Sequence, residues 1–465
     1  MINRLNQVCG ALLAAASVAM LPLPAQASDN ERDDRRGKPA HYDDDGRKGQ
    51  DEPIQLGPRP FYLVDGMEDG PLKHRLMQCK DGPFRRTDFS IGHRGAALQF
   101  PEHTKESYEA GARQGAGIVE CDVTFTKDGH LVCRHAENDL HTTTNILVTP
   151  LAEKCTKKFT PATFAPDGTR LTPASAECRA SDLTLAEFKS LTGKMDASNA
   201  NARTPAEYLG GTASWRTDLY TGRGTLMTLR ESIELNQMLG VKHTPELKES
   251  VVDPATGKKR IEEVFKNPTT RTPQENYAQA FADTLAAAGV RPRDAWAQSF
   301  NVDDVLYWVK NTRYGRQAVY LLDYDATDPV NDIVVQPPYN QMDRMAYFHM
   351  LKRNGVRIIA PPVPALLAVD ANGRVVPSKL ARDLKTVGFD IITWTLERSD
   401  LRKGAAAAPG NPTYYFDFDP NNAAIRKDSD VYKALDVLAR EVKVLGIFSD
   451  WPATVTYYAN CMGLK

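Results

Sequence analysis

Short apolar runs alternate with helix-like segments along most of this 465-residue chain. Such alternation favours parallel strands joined by crossover helices, because each helix covers the strand that precedes it. Eight repeats of the unit predict an α/β fold, a closed (β/α)8 TIM barrel. The candidate strands are residues 89–92, 117–119, 241–243, 295–298, 318–322, 356–359, 390–393 and 446–448. Helical patterns between them cover residues 105–114, 228–239, 273–288 and 431–442.

Two stretches interrupt the alternation. Residues 136–223 are rich in Thr, Pro, Ala and Asn, and a structureless loop of that length is uncommon inside a compact domain. We therefore predict a small subdomain inserted after the second strand region. A shorter insertion, residues 404–422, follows the seventh candidate strand. Loops that follow barrel strands lie on the catalytic face, so both insertions are expected to cover a site there.

The first 27 residues have the pattern of a secretory signal peptide. Arg4 supplies positive charge, residues 11–23 are mainly apolar, and residues 25–27 form a small-x-small cleavage site. The apolar run is too short for a spanning helix, and no transmembrane segment is predicted elsewhere. An N-terminal membrane anchor is the alternative. The pattern predicts a secreted or periplasmic protein.

A charge-dense segment, residues 28–60, follows the signal pattern and is poor in apolar side chains. It cannot bury enough surface to offset the entropy of ordering it, so we predict a disordered linker. Residues 61–465 then form the predicted barrel with its insertion. The net charge is −1 and no basic stripe is present, which argues against nucleic acid as a partner. No sequence pattern predicts the oligomeric state.

Export would place the cysteines in an oxidising compartment, where disulfides form. Six cysteines remain after the predicted cleavage, and the sequence permits many pairings. We favour Cys155 with Cys178, because this bridge would staple a polar, turn-rich segment. Cys79 and Cys461 flank the predicted barrel and could tie its ends together. Cys121 and Cys133 lie in apolar runs, where buried free thiols are the alternative.

A pair of carboxylates in the second candidate strand region suggests a metal site. Glu120 and Asp122 are two residues apart, so their side chains emerge on the same face of a strand. Paired buried carboxylates without a partner are costly, and a hard divalent cation with oxygen ligands, Ca²⁺ or Mg²⁺, resolves the repulsion. Glu246 in the third strand region is the candidate third carboxylate. For Glu120 and Asp122, the alternative is a strand edge exposed to solvent.

Two histidines are candidates for proton transfer. His93 and His135 each close a strand-like run, and the carboxyl ends of barrel strands face the active site. Histidine can act as acid or base near neutral pH, although two structural histidines are the alternative. Arg94 would bind a phosphate through its planar guanidinium. Lys248 would neutralise a phosphate charge or, alternatively, form a surface ion pair.

The ordered set of motifs resembles that of the glycerophosphodiester phosphodiesterase family. Any single motif is weak, but their order over about residues 89–455 is specific, with the two insertions unmatched. The motifs are His-Arg-Gly at 93–95, Pro-Glu-His-Thr at 101–104, Glu-x-Asp at 120–122, Thr-Lys-Asp-Gly at 126–129, His135, Glu-Leu-Lys at 246–248, Gln-Ser-Phe at 298–300, Thr-Trp-Thr at 393–395 and Ser-Asp-Trp-Pro at 449–452.

The resemblance implies a metal-dependent hydrolase in a (β/α)8 barrel. It implies cleavage of a small-molecule glycerophosphodiester to glycerol 3-phosphate and an alcohol such as choline or ethanolamine. Its implied site residues are His93 and His135 as the acid–base pair, Arg94 and Lys248 at the phosphate, Trp394 beside the glycerol, and Glu120, Asp122 and Glu246 at the cation. Of the two histidines we favour His93 as base and His135 as acid, and an ordinary core aromatic is the alternative for Trp394. Glu102 is expected to orient Arg94 or a histidine; a helix-start carboxylate is its alternative.

The chain departs from the family pattern directly after His135. The family has Asp at the next position, whereas this chain has Ala136 and Glu137, with Asp139 further on. Either Glu137 or Asp139 substitutes for that Asp, or proton transfer works differently. Two alternative functions remain open. One is a phospholipase D-type enzyme that acts on intact or lyso phospholipids through an aromatic rim at residues 414–416, and the other is a non-catalytic phosphate- or glycan-binding barrel.

Overall fold

The chain forms a closed parallel barrel surrounded by helices. This computed structural model describes residues 54–254, 256–266, 270–325, 332–408 and 411–465. The predicted signal peptide and most of the predicted linker lie outside the described residues. At the end of that linker, Leu56 and Pro60 are already buried, so its predicted boundary at residue 60 is too late. No helix among the described residues is long and apolar enough to cross a membrane.

Eight parallel strands close the barrel within the described residues. The register pairs Ser90 with Ile447 and Ile91 with Ile118, so the first strand contacts both the last and the second. The predicted (β/α)8 fold is therefore confirmed. The strands are β1 Thr87–Gly92, β2 Ala116–Phe125, β3 Lys242–Leu247, β4 Gln298–Ser299, β5 Val319–Leu321, β6 Ile358–Ala360, β7 Asp390–Leu396 and β8 Gly446–Ser449.

One principal helix follows each strand and packs on the outside of the barrel. Several begin with a Thr or Ser cap, such as Thr104 and Thr228, whose side chain accepts a hydrogen bond from the first turn. Two helices, Arg59–Asp65 and Pro71–Gln78, precede β1. The barrel helices are α1 Lys105–Arg113, α2 Leu229–Met238, α3 Pro273–Ala287, α4 Val302–Asn311, α5 Arg344–Arg353, α6 Lys379–Val387, α7 Val431–Val437 and α8 Pro452–Met462.

The inward side chains change from apolar to polar toward the carboxyl ends of the strands. Side chains two positions apart on a strand point the same way, so His93 follows Ile91 and Glu120 follows Ile118 into the mouth of the barrel. The polar site therefore rests on an apolar floor. That floor consists of Ile91, Ile118, Val319, Leu321, Ile358, Ala360, Ile392 and Phe448.

Residues 136–223, between β2 and α2, pack around an apolar core of their own that includes Leu140, Ile146, Phe188 and Tyr208. Its helices are Leu140–Thr143, Ile146–Val148, Pro150–Lys154, Ala180–Asp182, Leu185–Lys189 and Pro205–Tyr208. Its paired strands are Lys157–Thr160 with Ser175–Glu177 and Thr163–Phe164 with Arg170–Thr172. A further strand, Thr192–Gly193, pairs with Gly224–Thr225, which follows directly after residue 223. We call residues 136–223 the inserted region.

Three disulfides join the six cysteines of the described residues. Cys155 pairs with Cys178 inside the inserted region, and Cys79 pairs with Cys461 across the ends of the barrel domain, as predicted. The third bridge joins Cys121 to Cys133, so the free-thiol alternative for these two is wrong. The short strand Leu131–Cys133 folds back antiparallel on β2 and brings the two sulfurs together.

Candidate active site

Side chains from seven of the barrel strands and their loops surround one cavity of about 150 Å³ at the carboxyl ends of the strands. Eight of the nine predicted site residues lie on its wall, and the ninth, Glu102, lies behind Arg94. The cavity is lined by His93, Arg94, Glu120, Asp122, His135, Glu246, Lys248, Phe300, Leu321, Trp394, Tyr415 and Phe448.

Three carboxylates converge on one part of the cavity wall. Asp122 on β2 is paired in register with Glu246 on β3, and Glu120 lies two residues before Asp122 on the same face. One oxygen of each lies within 4.8 Å of the others. All three are buried, with 3 %, 1 % and 6 % exposure for Glu120, Asp122 and Glu246. The predicted carboxylate cluster therefore forms.

The chemistry of this cluster fits a hard divalent cation. Burial and the like charges of Asp122 and Glu246 raise the pKa of Glu120 well above its ordinary value. Burial raises the pKa of Glu246 to about 7, although Lys248 opposes the shift. Oxygen Oδ1 of Asp122 is buried and has no hydrogen-bond partner in the described structure. A cation bound by the three carboxylates would offset the repulsion between them and give Asp122 Oδ1 a partner.

Neighbouring side chains fix the orientation of these carboxylates. Gln298 on β4 donates from Nε2 to Glu120 Oε1 at 3.0 Å, and the backbone N–H of Arg94 donates to Glu120 Oε2 at 3.0 Å. His103 Nε2 lies 2.9 Å from Asp122 Oδ2, and its other nitrogen lies 3.1 Å from the Tyr108 hydroxyl. The cluster is therefore held in place before any ligand arrives.

His93 is held by a buried carboxylate at the end of β8. Its Nδ1 lies 2.5 Å from Asp450 Oδ1, and its Nε2 lies 3.7 Å from Glu120 Oε2. A carboxylate at Nδ1 favours the tautomer with the proton there, which leaves the Nε2 lone pair facing the cavity. Burial and the nearby charge of Arg94 lower the pKa of His93 to about 4, despite the opposing effect of Asp450. A neutral imidazole with a free Nε2 can accept a proton.

His135 reaches the cavity by a different route from the predicted one. It follows the strand Leu131–Cys133, which runs antiparallel to β2 and is not a barrel strand. The hairpin places the chain beside Asp122, whose carbonyl accepts a hydrogen bond from the Arg134 N–H at 2.8 Å. The location of His135 matches the prediction, but the reason given for it was wrong. Burial, followed by the charges of Arg94 and Lys248, lowers the pKa of His135 well below its usual value.

Replacing Cys121 and Cys133 together by alanine should lower the free energy of unfolding by about 2–4 kcal/mol, because the bridge restricts the unfolded chain. It should also lower kcat, because the bridge anchors the hairpin that carries His135. Urea unfolding and initial rates measure the two effects. A Cys155→Ala/Cys178→Ala variant is the matched control and should lose stability with a smaller loss of kcat. An unchanged unfolding midpoint in the first variant would contradict the prediction.

Arg94 is positioned by its own backbone and by Glu102. Its φ is 54°, in the left-handed region, and Gly95 follows with a φ of 96°. A Cβ at Gly95 would lie 2.5 Å from the carbonyl carbon of Ser107 on α1, so only glycine fits there. Arg94 Nη1 donates to Glu102 Oε2 at 2.7 Å. Glu102 therefore orients Arg94. The residue that caps the start of α1 is Thr104, so Glu102 does not have the alternative role of a helix-start carboxylate.

The charge of Arg94 and its neighbours keeps Glu102 ionised. Burial would raise the pKa of Glu102, but Arg94 and Arg398 outweigh it and lower the pKa to about 2. Lys248, which also lines the cavity, donates from Nζ to Glu246 Oε1 at 2.5 Å. Burial lowers its pKa, but Glu246 and Asp122 more than compensate and raise it. The Arg94 guanidinium and the Lys248 ammonium group are therefore both charged at neutral pH.

Among the described residues, neither candidate for the missing Asp forms a hydrogen bond or ion pair with the ring of His135. Glu137 accepts hydrogen bonds from the Ser181 and Ser250 hydroxyls and from the Val251 N–H, and so joins the inserted region to the loop after β3. Asp139 accepts a hydrogen bond from the Ala136 N–H at 3.0 Å. The structure therefore uses Glu137 as a structural anchor.

Aromatic rings form the wall opposite the carboxylates. Trp394 donates from Nε1 to the Ala360 carbonyl at 2.9 Å, and its ring lies 5.7 Å from Phe300 and 6.2 Å from Tyr415. The proposed aromatic rim at residues 414–416 does not form as predicted. Tyr414 is 45 % exposed, Tyr415 lines the cavity and Phe416 is fully buried.

A second cavity of about 330 Å³ adjoins the first beyond Lys248 and Phe300. The two cavities share His135, Glu246, Lys248, Phe300 and Leu321. The outer part of the second cavity is lined by Glu249, Tyr320, Asp323, Val334 and Gln336.

Several contributors to the site had no role in the sequence analysis. His103, Gln298 and Asp450 stand in motifs that were recognised, but a motif alone does not say what its residues touch. Arg398, in the loop after β7, and Asp196, in the inserted region, stand in no motif. Arg398 Nη1 donates to Asp450 Oδ2 at 2.8 Å.

The profile of the glycerophosphoryl diester phosphodiesterase family matches residues 93–454. A relative from Arthroderma benhamiae, named extracellular protein, is 39 % identical over 274 residues, which is 58 % of this chain and 100 % of the relative. A glycerophosphodiester phosphodiesterase of Bacillus subtilis is 45 % identical over 56 residues, 12 % of this chain and 19 % of the relative. The solved structure of an Oleispira antarctica phosphodiesterase in complex with the product sn-glycerol-3-phosphate has 17 % identity and a TM-score of 0.43, covering 80 % of this chain and 96 % of that one. By the extent of the profile match, the chain belongs to the glycerophosphoryl diester phosphodiesterase family and is an enzyme of that family, as its motifs predicted.

Proposed function

We propose that this enzyme hydrolyses glycerophosphodiesters to glycerol 3-phosphate and an alcohol, with a divalent cation held by Glu120, Asp122 and Glu246. The observation that carries the proposal is that three convergent carboxylates and two histidines face one cavity. Oxygen ligands suit both Ca²⁺ and Mg²⁺, so the choice between them is left to measurement. A bound divalent cation supplies polarisation of a phosphoryl oxygen.

His93 is proposed as the general base. Its Nε2 takes the proton from the attacking hydroxyl, while Asp450 stabilises the imidazolium that forms. The attacking hydroxyl belongs to water, which gives glycerol 3-phosphate directly, or to the glycerol 2-hydroxyl, which gives a cyclic phosphate that water then opens to glycerol 3-phosphate. The 2.5 Å distance from Nδ1 to Asp450 supports this role, because it fixes the tautomer that base catalysis requires. The neutral state of the ring at neutral pH supports it as well.

His135 is proposed as the general acid that protonates the leaving alkoxide as its bond to phosphorus breaks. In the free protein burial and, after it, the charges of Arg94 and Lys248 lower the pKa of His135 and disfavour its charged form. A bound phosphodiester brings a negative charge between the same groups, and this charge favours the protonated ring. The substrate itself therefore prepares His135 for its role.

Arg94 and Lys248 are proposed to stabilise the negative charge that develops on the phosphoryl oxygens. Both line the cavity, and Glu102 holds the guanidinium in one orientation. Trp394 is proposed to contact the glycerol. The adjoining cavity beyond Lys248 has room for the alcohol, such as choline or ethanolamine.

Product analysis with the purified protein tests the proposal. Glycerophosphocholine with Ca²⁺ or Mg²⁺ should yield glycerol 3-phosphate and choline in equal amounts. Release of phosphocholine and glycerol instead would show that the wrong bond was assigned. Hydrolysis of a lyso or diacyl phospholipid without hydrolysis of glycerophosphocholine would favour a phospholipase D-type enzyme. Binding without turnover would favour a non-catalytic barrel.

We also propose that the protein is exported. The predicted signal peptide at residues 1–27 and the disulfides in the described structure support this proposal. N-terminal sequencing of the exported protein should begin at Ser28. Recovery of the full-length chain in the cytoplasm would contradict the proposed export.

A further inference from the structure

We propose that Asp196 of the inserted region and Arg398 of the loop after β7 are positioning residues that hold Asp450 and, through it, His93. The proposal rests on the proposed function, in which His93 is the base. It gives the inserted region a part in catalysis beyond covering the site.

The proposal starts from a continuous row of charged groups. Arg216 Nη2 donates to Asp196 Oδ1 at 2.6 Å, and Arg398 Nη2 donates to Asp196 Oδ2 at 2.7 Å. Arg398 Nη1 then donates to Asp450 Oδ2 at 2.8 Å, and Asp450 Oδ1 lies 2.5 Å from His93 Nδ1. Positive and negative groups alternate along the row, and they come from four separate parts of the chain.

Asp196 is presented by a rigid turn. The Lys194 ammonium group is buried and donates to the carbonyls of Thr142, Met195 and Ala197 at 2.6–2.7 Å. The Ala197 N–H also donates to the Thr142 carbonyl. The turn around Asp196 is therefore fixed by the inserted region's own hydrogen bonds and does not depend on substrate.

Arg216 ties the same turn to the barrel. Besides Asp196, its Nη2 donates to the carbonyl of Ala97 at 2.6 Å, in the loop that follows His93 and Arg94. The inserted region thus contacts the β1 loop and the Arg398 side chain at the same point. A rotation of the inserted region would move both.

Burial explains why Asp450 needs this support. Asp450 is fully buried, and an isolated buried carboxylate is costly. Burial would raise its pKa, but Arg398 and His93 lower it. Arg398 binds one oxygen and leaves the other for the imidazole. Without Asp196, the Arg398 guanidinium loses one of its two hydrogen-bond partners and keeps Asp450 and a longer ion pair with Glu102 at 3.6 Å. It can then turn away from Asp450, so that the His93 ring is held less firmly.

Asp196→Asn and Arg398→Gln are expected to lower kcat by roughly tenfold to hundredfold, as for residues that orient a ligating or reacting group. For Asp196→Asn, KM for glycerophosphocholine and bound metal should stay at wild-type values, because Asp196 does not line the cavity. Arg398→Lys should recover part of the loss. Asp182→Asn is the matched control, since Asp182 is another carboxylate of the inserted region with the same 15 % exposure and an arginine partner, Arg260.

A double-mutant cycle with His93→Ala distinguishes positioning from a general structural effect. If Asp196 acts through His93, Asp196→Asn should not lower the residual rate of His93→Ala any further. An equal fold-loss in both backgrounds would overturn the inference, and so would wild-type turnover of Asp196→Asn. If Asp196→Asn does not fold, Asp196→Glu replaces it in the cycle. An inactive wild-type protein would refute the proposed function instead, so the two failures are distinguishable.

Discussion

His93→Ala and His135→Ala should each lower kcat for glycerophosphocholine by about 10²–10⁴-fold, the range that general acid–base catalysis contributes. His93 Nε2 faces the cavity because Asp450 occupies Nδ1, so alanine removes the group that takes the proton. His135 lies on the cavity wall beside Lys248, and its loss leaves the alkoxide without a proton donor. Initial rates at saturating substrate measure both effects.

His130→Ala serves as the control for these two variants. His130 lies on the exposed turn of the hairpin that leads to His135, with 56 % of its side chain accessible. Its removal should leave kcat at the wild-type value. Near-wild-type turnover of either His93→Ala or His135→Ala would remove that histidine from the mechanism.

Asp122→Asn and Glu246→Gln should each lower the affinity for a divalent cation by more than about tenfold. Residues that only support a metal ligand already have effects of about tenfold to hundredfold, and these two are proposed to be ligands themselves. Each change removes one of the carboxylates that lie within 4.8 Å of one another. Activity at a fixed, limiting cation concentration should fall accordingly and recover in part as the cation is raised. Isothermal titration calorimetry and rates against cation concentration measure the two effects.

The control for the ligand variants is Glu234→Gln on α2. This carboxylate is about half exposed and pairs with Arg230 on the outer surface, so neither cation affinity nor activity should change. Wild-type cation affinity in both ligand variants would show that the cluster does not hold the metal.

The barrel was predictable because its strands are buried on both faces and appear as apolar runs. The candidate strand at residues 390–393 begins where β7 begins, at Asp390. The run at 117–119 ended too early, since β2 continues to Phe125. The part of β2 beyond residue 119 carries Glu120 and Asp122 toward the cavity. Buried polar side chains hide a strand from an analysis based on hydrophobicity.

The three carboxylates of the cluster were predictable because they share faces of neighbouring strands. Glu120 and Asp122 are two residues apart, and the β2–β3 register places Glu246 beside them. The row that supports His93 was not predictable. Asp196 and Arg398 meet across 202 residues of sequence, and only the packing of the inserted region against the barrel brings them together.

The contacts of Glu137 could not be predicted from the sequence either. Its position after His135 suggested a substitute for the missing Asp, because the two are close in sequence. Its carboxylate instead accepts hydrogen bonds from Ser250 and Val251, residues that are distant in sequence. Which of several neighbours a buried carboxylate contacts depends on the turn that follows the hairpin, and composition does not determine that turn.

Metal content measured together with product release tests the central claim most directly. The purified protein should contain close to one divalent cation per chain and release glycerol 3-phosphate from glycerophosphocholine. A chelator should remove both the metal and the activity, and added Ca²⁺ or Mg²⁺ should restore both. Release of glycerol 3-phosphate at an unchanged rate by the metal-free protein would contradict the account.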